Sequence, residues 1–282
     1  MLHPKSTINC KGILLDLSEP IIMGILNVTP DSFYDGGKFE NEKALLGQVE
    51  LMVEEGAKII DIGGMSSRPG AKIIDEEEEL NRVLGVVKKI NQLYPNIIIS
   101  IDTVRSSVAK ECVLAGASIV NDISAGTIDE KMFSTVAELS VPYILMHMQG
   151  KPENMQQSPD YQDVTTTVLD FFIQKIGALR ELGVKDIFLD PGFGFGKTVE
   201  HNFQLLENLS IFSILELPVL IGISRKSMIN KVLKISPENA LNGTTVLNTL
   251  ALERGAKILR VHDVKEAKET ITLWKQLNHK SN

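Results

Sequence analysis

Residues 21–37 read IIMGILNVTPDSFYDGG, and the pattern in this stretch recurs along the chain. It begins as an apolar run, which is typical of a strand buried on both faces of an α/β protein. At Asn27 the run ends, and a polar loop closed by a Gly36-Gly37 pair follows. Because catalytic groups in such folds sit where strands end, one interpretation is that the strand delivers Asn27 to a site. The alternative is a strand followed by an ordinary exposed turn, since Pro, Asp, Ser and Gly are common turn residues.

A short apolar run followed by a helical stretch occurs eight times in the sequence. Strands are predicted at 21–27, 58–64, 97–103, 118–124, 141–148, 186–192, 218–224 and 257–263. Helices are predicted at 41–56, from near Asp75, and at 105–116, 129–140, 164–182, 201–215, 226–234, 241–255 and 264–278. Strands that alternate with helices predict a parallel sheet. Eight such units without a dividing linker predict an α/β fold of the (β/α)8 TIM barrel type. We expect one domain over 1–282, with 1–20 as a β lead-in or plug; a doubly wound open sheet is the structural alternative.

Composition excludes several classes of protein. The sequence has 43% hydrophobic and 23% charged residues, which is ordinary for a soluble globular protein. No apolar run is long enough to span a bilayer, and the N-terminus MLHPKSTINCKG has no signal core. Two cysteines, Cys10 and Cys112, suggest neither a disulfide framework nor a structural zinc site. A net charge of -7 argues against a general nucleic-acid binder. We therefore expect a cytoplasmic protein with no membrane or nucleic-acid partner.

Polar residues gather at the C-terminal ends of the predicted strands. They are Asn27, Asp61, Asp102, Asn121 with Asp122, His147, Asp190, Ser224 through Lys226, and Arg260 with His262. In a barrel these ends share one face, so the side chains are expected to line one pocket. Each residue alone has a structural explanation: Asp61 as a loop anchor, for example, or His147 as a hydrogen-bonded core residue. Such explanations are weaker when they must cover all the strands at once.

The residues divide by their chemistry. Asp102, Asn121, Asp190 and Lys226 are suited to the polar edge of a planar nitrogen heterocycle. A second, cationic group matches phosphate oxygens and consists of Arg68, Arg260 and His262. Together they suit a heterocycle that carries a phosphate or pyrophosphate. Asn27 is compatible with a Mg²⁺ ion bridged to substrate phosphates and equally with a loop-anchoring hydrogen bond.

Residues 190–198, DPGFGFGKT, lack the spacing of a phosphate-binding P-loop. The alternation of Gly and Phe instead predicts a mobile loop beyond Asp190. Phe195 is a candidate contact for an aromatic substrate.

These motifs resemble those of the dihydropteroate synthase family, folate-pathway enzymes that are the target of sulfonamides. The resemblance covers nearly the whole chain from Ile21 to Trp274 and is highly specific. The motifs that carry it are GILNVTPDSFYDGG, DIGGMSSRPGA, SIDT, VNDIS, LMHMQG, DPGFGFGK, IGISRKS and RVHD.

The resemblance implies roles for individual residues. It implies a pterin pocket formed by Asp102, Asn121, Met146, Asp190 and Lys226. It implies pyrophosphate contacts from Ser67, Arg68, Arg260 and His262, and a Mg²⁺ ligand in Asn27. The region for p-aminobenzoate, shared by sulfonamides, would include Phe33, Pro69, Phe195 and Ser227. Those implied to be catalytic are Arg68, Asp102 and Lys226.

The resemblance further implies two mobile active-site loops, at 29–37 and 64–71, and a homodimer built on the outer helices. One departure is Met65, where the family often has Glu, and it bears on how the second loop is tethered.

The implied reaction is a transfer that joins (7,8-dihydropterin-6-yl)methyl diphosphate to p-aminobenzoate. One rival is a methyltetrahydrofolate-dependent methyltransferase, which needs a corrinoid or thiol partner and has no use for the cationic cluster. The other is a pterin- or folate-binding protein without catalysis, which could keep the carboxylates and lose both loops.

Overall fold

A computed structural model describes residues 6–28, 38–65, 74–150, 155 and 159–278, with only the backbone of 38–41. Its strands are β1 (Thr7–Cys10), β2 (Ile13–Asp16), β3 (Ile21–Asn27), β4 (Ile59–Gly63), β5 (Ile98–Asp102), β6 (Ile119–Asp122), β7 (Tyr143–Met146), β8 (Ile187–Asp190), β9 (Leu220–Ile221) and β10 (Ile258–Val261). Its helices are α1 (Lys38–Glu54), α2 (Glu76–Leu93), α3 (Ser106–Ala115), α4 (Met132–Leu139), α5 (Val164–Glu181), α6 (Val199–Glu207), α7 (Ser227–Leu233), α8 (Leu241–Glu253) and α9 (Val264–Asn278). Short 3-10 helices lie at Leu209–Leu215 and Pro237–Asn239.

Strands β3 to β10 form the predicted barrel. All eight are parallel, in the spatial order β8-β7-β6-β5-β4-β3-β10-β9. A parallel bridge between Leu189 and Val219 brings β8 beside β9, and Leu189 N donates to Pro218 O at 2.9 Å. This closes the ring and confirms the TIM barrel. Within the described residues, no helix is long and apolar enough to cross a membrane.

Each predicted barrel strand is found at or inside its predicted range, but one predicted helix is divided. The helix expected over 201–215 consists of α6 and the 3-10 helix Leu209–Leu215, with a break at Asn208. The side-chain amide of Asn208 donates to Gln204 O at 3.0 Å. Such local side-chain bonds compete with continuation of an α-helix.

The hairpin β1–β2 plugs the N-terminal end of the barrel. Its apolar side chains pack on the inward-facing residues that begin the barrel strands. The hairpin segment contributes Ile8, Cys10, Leu15 and Leu17 to this cluster. The barrel strands contribute Ile21, Met23, Ile59, Ile98, Ile119, Ile144, Phe188, Leu220 and Ile258. The described part of residues 1–20 therefore contains this hairpin, and the opposite end of the barrel is left for polar side chains.

Candidate active site

Alternation along the strands carries polar side chains into the C-terminal mouth of the barrel. Side chains at i and i+2 share a face of a strand. Because Ile59 and Ile98 face the barrel interior, Asp61 faces it from β4 and Asp102 from β5. The register pairs Asp102 with Asn121 on β6. The strands therefore begin apolar and end polar on the same inner surface.

Four of these side chains form one network. Arg260 Nε donates to Asp61 Oδ2 at 2.7 Å, and an Arg260 terminal nitrogen donates to Asp102 Oδ2 at 2.8 Å. Asn121 Nδ2 donates to the same Asp61 oxygen at 3.0 Å. Arg260 was expected from the sequence to act with the cations and apart from the acids, whereas in the folded chain it lies between two carboxylates.

Burial and neighbouring charges shift the pKa values of Arg260 and Asp102 in this network. Burial alone would lower the pKa of Arg260, but the carboxylates of Asp61 and Asp102 raise it above its ordinary value. Burial, reinforced by the Asp61 charge and opposed by Arg260, raises the pKa of Asp102 to about 7. The Oδ1 atom of Asp61 is buried and has no hydrogen-bond partner among the described residues. A buried carboxylate oxygen of this kind is suited to an N–H donor on a ligand.

Asp190, at the end of β8, and Lys226, just before α7, carry opposite charges that interact electrostatically. Burial raises the pKa of Asp190, and the Lys226 charge opposes that shift. Burial lowers the pKa of Lys226 to about 8, and Asp190 opposes it. The Lys226 ammonium donates to Phe193 O and lies 4.3 Å from the centroid of the Phe195 ring. One carboxylate and one cation thus face the same space as the network around Asp61.

An apolar cluster lines the mouth beside these charges. Met146 is 2% exposed and belongs to a cluster with Val104, Ile123, Met155 and Phe195, against which Met65 and Met148 pack half-buried. A flat apolar wall next to a few convergent polar groups is the usual form of a pocket for a small heterocycle. Met65, the departure from the family pattern, contributes to this wall.

His262 and Asn27 lie at the ends of their strands. His262 Nδ1 is 3.0 Å from Ser224 Oγ, which orients the ring. Asn27 ends β3 and is exposed. The described residues contain no group of three or more His, Cys, Asp or Glu side chains able to hold a metal. An exposed amide oxygen is nevertheless compatible with Mg²⁺ that takes its remaining ligands from substrate phosphates and water.

Two arginines hold the flanks of the second predicted loop. Arg82 donates to Gly64 O at 2.9 Å, and Arg105 donates to Ile74 O. Arg105 also pairs with Glu79, which is fully buried and accepts from Thr103 Oγ1 at 2.6 Å. The predicted site residues Phe33, Ser67, Arg68 and Pro69 lie outside the described residues. Ser227 is exposed at the start of α7.

Two strand-end residues singled out in the sequence do not join the site. Asp122 is fully buried and accepts from Ser124, Gly126 and the hydroxyl of Tyr143, which are bonds of a structural residue. His147 is buried with its Nδ1 at 3.0 Å from Lys197 Nζ, as its structural explanation suggested.

Asp61 was assigned to neither chemical group by the sequence analysis, yet it is the centre of the network. Its position two residues beyond the inward-facing Ile59 was the available signal.

The DPGFGFGK loop is buried, so the prediction of a mobile loop is wrong. Gly192 and Gly196 have φ of 71° and 61°. A Cβ at Gly192 would lie 1.9 Å from His147 O, and one at Gly196 would lie 2.3 Å from Gln149 O. Only glycine permits both the left-handed backbone and this approach, and the result is a loop packed tightly against the end of β7.

Comparison with known proteins gives consistent matches. The family model described as pterin binding enzyme matches residues 23–262. Dihydropteroate synthase of Escherichia coli K12 is 45% identical over 263 residues, which are 93% of each chain. A Yersinia pestis dihydropteroate synthase structure with a sulfonamide drug complex superposes with a TM-score of 0.91 at 43% identity, covering 96% of this chain and 99% of that one. A Xanthomonas albilineans dihydropteroate synthase in complex with 7,8-dihydropteroate gives a TM-score of 0.88 at 36% identity, covering 98% and 100%.

Proposed function

The chain belongs to the dihydropteroate synthase family of pterin-binding enzymes, and we propose that it joins (7,8-dihydropterin-6-yl)methyl diphosphate to 4-aminobenzoate. The products are 7,8-dihydropteroate and diphosphate. The observation that carries this proposal is the convergence of carboxylates and cations at one end of the barrel, with Arg260 in contact with both Asp61 and Asp102.

The carboxylate side binds the pterin. Asp102, Asn121 and Asp190 present acceptors to the ring N–H groups, and Lys226 donates to a ring nitrogen or carbonyl. Met146 packs against the flat ring. An ionised carboxylate at Asp102 also favours the positive charge that develops on the pterin methylene when its C–O bond breaks.

The cationic side stabilises the leaving group. When the C–O bond breaks, its electron pair leaves with diphosphate, and Arg260 and His262 neutralise the new charge. Ser67 and Arg68, from the second loop, are proposed to add contacts there. Asn27 would hold Mg²⁺, which when bound supplies further positive charge to the diphosphate oxygens.

The amine nitrogen of 4-aminobenzoate then forms the new C–N bond. An arylamine is nucleophilic without a strong base, and its proton is readily lost to water or diphosphate after the bond forms. Phe195 and Ser227, with Phe33 and Pro69, are proposed to bind this substrate. Sulfonamides, which resemble it, are proposed to compete at the same place. Closure of loops 29–37 and 64–71 over the site is proposed to exclude water, which would otherwise capture the pterin cation.

The test is release of diphosphate by the purified chain. Release is expected only when pterin diphosphate, 4-aminobenzoate and Mg²⁺ are all present, with 7,8-dihydropteroate identified by mass spectrometry. A sulfonamide is expected to raise the KM for 4-aminobenzoate and leave kcat unchanged. Tight binding of pterin diphosphate without release would instead identify a non-catalytic pterin-binding protein.

We further propose that the chain forms a homodimer through α7 and α8. Val232 and Leu233 on α7 are 53% and 50% exposed, and Val246 and Leu250 on α8 are 50% and 38% exposed. A Cβ at Gly243 on α8 would lie 2.4 Å from Ile229 on α7, so the two helices approach closely at this point. Exposed apolar residues on adjoining helices commonly mark protein interfaces. Light scattering is expected to give twice the 31.1 kDa of one chain; a monomer alone would refute the dimer.

The cytoplasmic location stays a prediction from composition.

A further inference from the structure

Lys197 is a buried cation outside the set of residues assigned to substrate. Its side chain is 3% exposed. Its ammonium nitrogen lies 2.9 Å from Gly192 O, 3.1 Å from Phe195 O and 3.3 Å from His147 O, with His147 Nδ1 at 3.0 Å. An ammonium has three hydrogens to donate, and lysine is almost never fully buried without such partners. The loop therefore encloses this charge specifically.

The backbone around Lys197 would be unfavourable without the cation. Gly192, Gly194 and Gly196 all have positive φ, and the loop turns carbonyls of both Gly192 and Phe195 toward one point. Carbonyl dipoles aimed at one point repel one another unless a positive charge lies between them. The Lys197 ammonium supplies that charge where other proteins use a bound metal ion.

Residues 192–195, which contain these carbonyls, contact both Asp190 and Lys226. Gly192 N donates to Asp190 Oδ1 at 2.8 Å. Phe193 O accepts from the Lys226 ammonium, and the Phe195 ring lies 4.3 Å from it. The geometry of two proposed pterin-binding residues therefore depends on a loop that Lys197 holds together.

We propose that Lys197 is a positioning residue for the reaction: its ammonium fixes 191–196 so that Phe193 and Phe195 hold Lys226, and Gly192 holds Asp190, in the geometry that binds the pterin. This inference rests on the proposed function. Burial and the Lys197 charge lower the pKa of His147. Burial also lowers the pKa of Lys197 to about 7, opposed by Asp190, so the tests below are made at a pH below 7, where Lys197 is charged. A neutral imidazole with an acceptor at Nδ1 is the form that Lys197 requires.

The first test is the variant Lys197→Gln, which is neutral and shorter but keeps a donor. We expect the rate at which acetic anhydride labels Lys226, followed by mass spectrometry, to rise about fivefold because Lys226 loses ordered partners. The KM for pterin diphosphate is expected to rise about tenfold, as for the loss of one contact to a charged group. The matched control is Lys185→Gln, an exposed lysine at the other end of β8, which should change neither value.

A purely structural role predicts a different result. In that case Lys197→Gln would lower the melting temperature but leave labelling of Lys226 and the KM unchanged at a temperature where the variant is folded, and the proposal would be overturned. If Lys197→Gln does not fold, His147→Gln, which removes one partner only, is measured in the same way. Unchanged labelling in that variant would also overturn the proposal.

Chemical rescue gives an independent readout. In Lys197→Ala, ammonium chloride is expected to restore much of the affinity for pterin diphosphate because NH₄⁺ can donate to the same carbonyls. Tetramethylammonium chloride at equal ionic strength has no N–H to donate and should not restore it; equal recovery with both salts would count against the proposal. Labelling of Lys226 needs no substrate, so a wild-type chain that released no diphosphate would refute the proposed reaction without deciding this inference.

Discussion

Replacing Asp61 with asparagine is expected to lower kcat/KM for diphosphate release by roughly a hundredfold or more. Asp61 Oδ2 accepts from Arg260 at 2.7 Å and from Asn121 at 3.0 Å. A hydrogen bond to a charged group contributes about 1.5–3 kcal/mol, and each 1.4 kcal/mol or so is a factor of about ten. The change removes the charge that holds Arg260 in place and leaves Asp102 as its remaining carboxylate partner in the network.

The same substitution is expected to reduce the free energy of unfolding by about 3 kcal/mol, because breaking a buried pair leaves the other charge poorly compensated. Urea unfolding measures this directly. Steady-state rates must be taken where the variant is fully folded, so that the two effects are separated.

Asp122→Asn is the matched control for Asp61→Asn. Asp122 ends β6, which is separated from β4 by β5. It is as buried as Asp61, at 0% exposed, and it accepts structural hydrogen bonds from Ser124 and Tyr143. The Asp122→Asn variant is expected to have a lower free energy of unfolding than the wild type. Its kcat/KM is expected to be unchanged under conditions in which the variant is folded. Equal losses of activity in the two variants would mean that the Asp61 network has no special part in the reaction.

Replacing Lys226 with methionine is expected to weaken binding of pterin diphosphate by roughly tenfold to a hundredfold, the loss of one charge-assisted hydrogen bond of about 1.5–3 kcal/mol. Methionine keeps most of the side-chain volume over Phe195. Isothermal titration calorimetry gives the dissociation constant. Lys231→Met, at an exposed position of the same helix, is the control and should bind normally.

The pH dependence of the dissociation constant for pterin diphosphate tests whether the Lys226 ammonium is the group that strengthens binding. Burial lowers the pKa of Lys226 to about 8, opposed by Asp190, so the charged form is present below that pH and is lost as pH rises through it. The wild-type dissociation constant should then increase about tenfold per pH unit above 8 by proton linkage. Lys226→Met should lack the increase that begins at pH 8. Burial brings the pKa values of Asp102 and Lys197 to about 7, and changes that come from those two groups are expected at lower pH in both proteins. Parallel pH profiles for the two proteins would contradict the assigned role.

Some of the site was predictable from particular residues and some was not. Asn121 and Asp122 adjoin in the sequence and look equivalent there, but only Asn121 reaches Asp61, because neighbouring residues point to opposite faces of a strand. Counting in twos from Ile119, which faces the barrel interior, separates them. The loop 190–197 was misjudged as mobile because alternating Gly and Phe are typical of exposed loops. Its order comes from contacts with His147, fifty residues earlier in the chain.

By itself, the order of apolar runs and polar strand ends determined the barrel, its open end and most of the side chains that surround the site, because strand periodicity and parallel pairing are consequences of local sequence. Only the tertiary structure decided which charges meet. Arg260 is 199 residues from Asp61 and 158 from Asp102, and it reaches both because barrel closure places β10 beside β3 and β3 beside β4. Electrostatic energy depends on distance through space and on burial, and neither quantity exists until the ring of strands has closed.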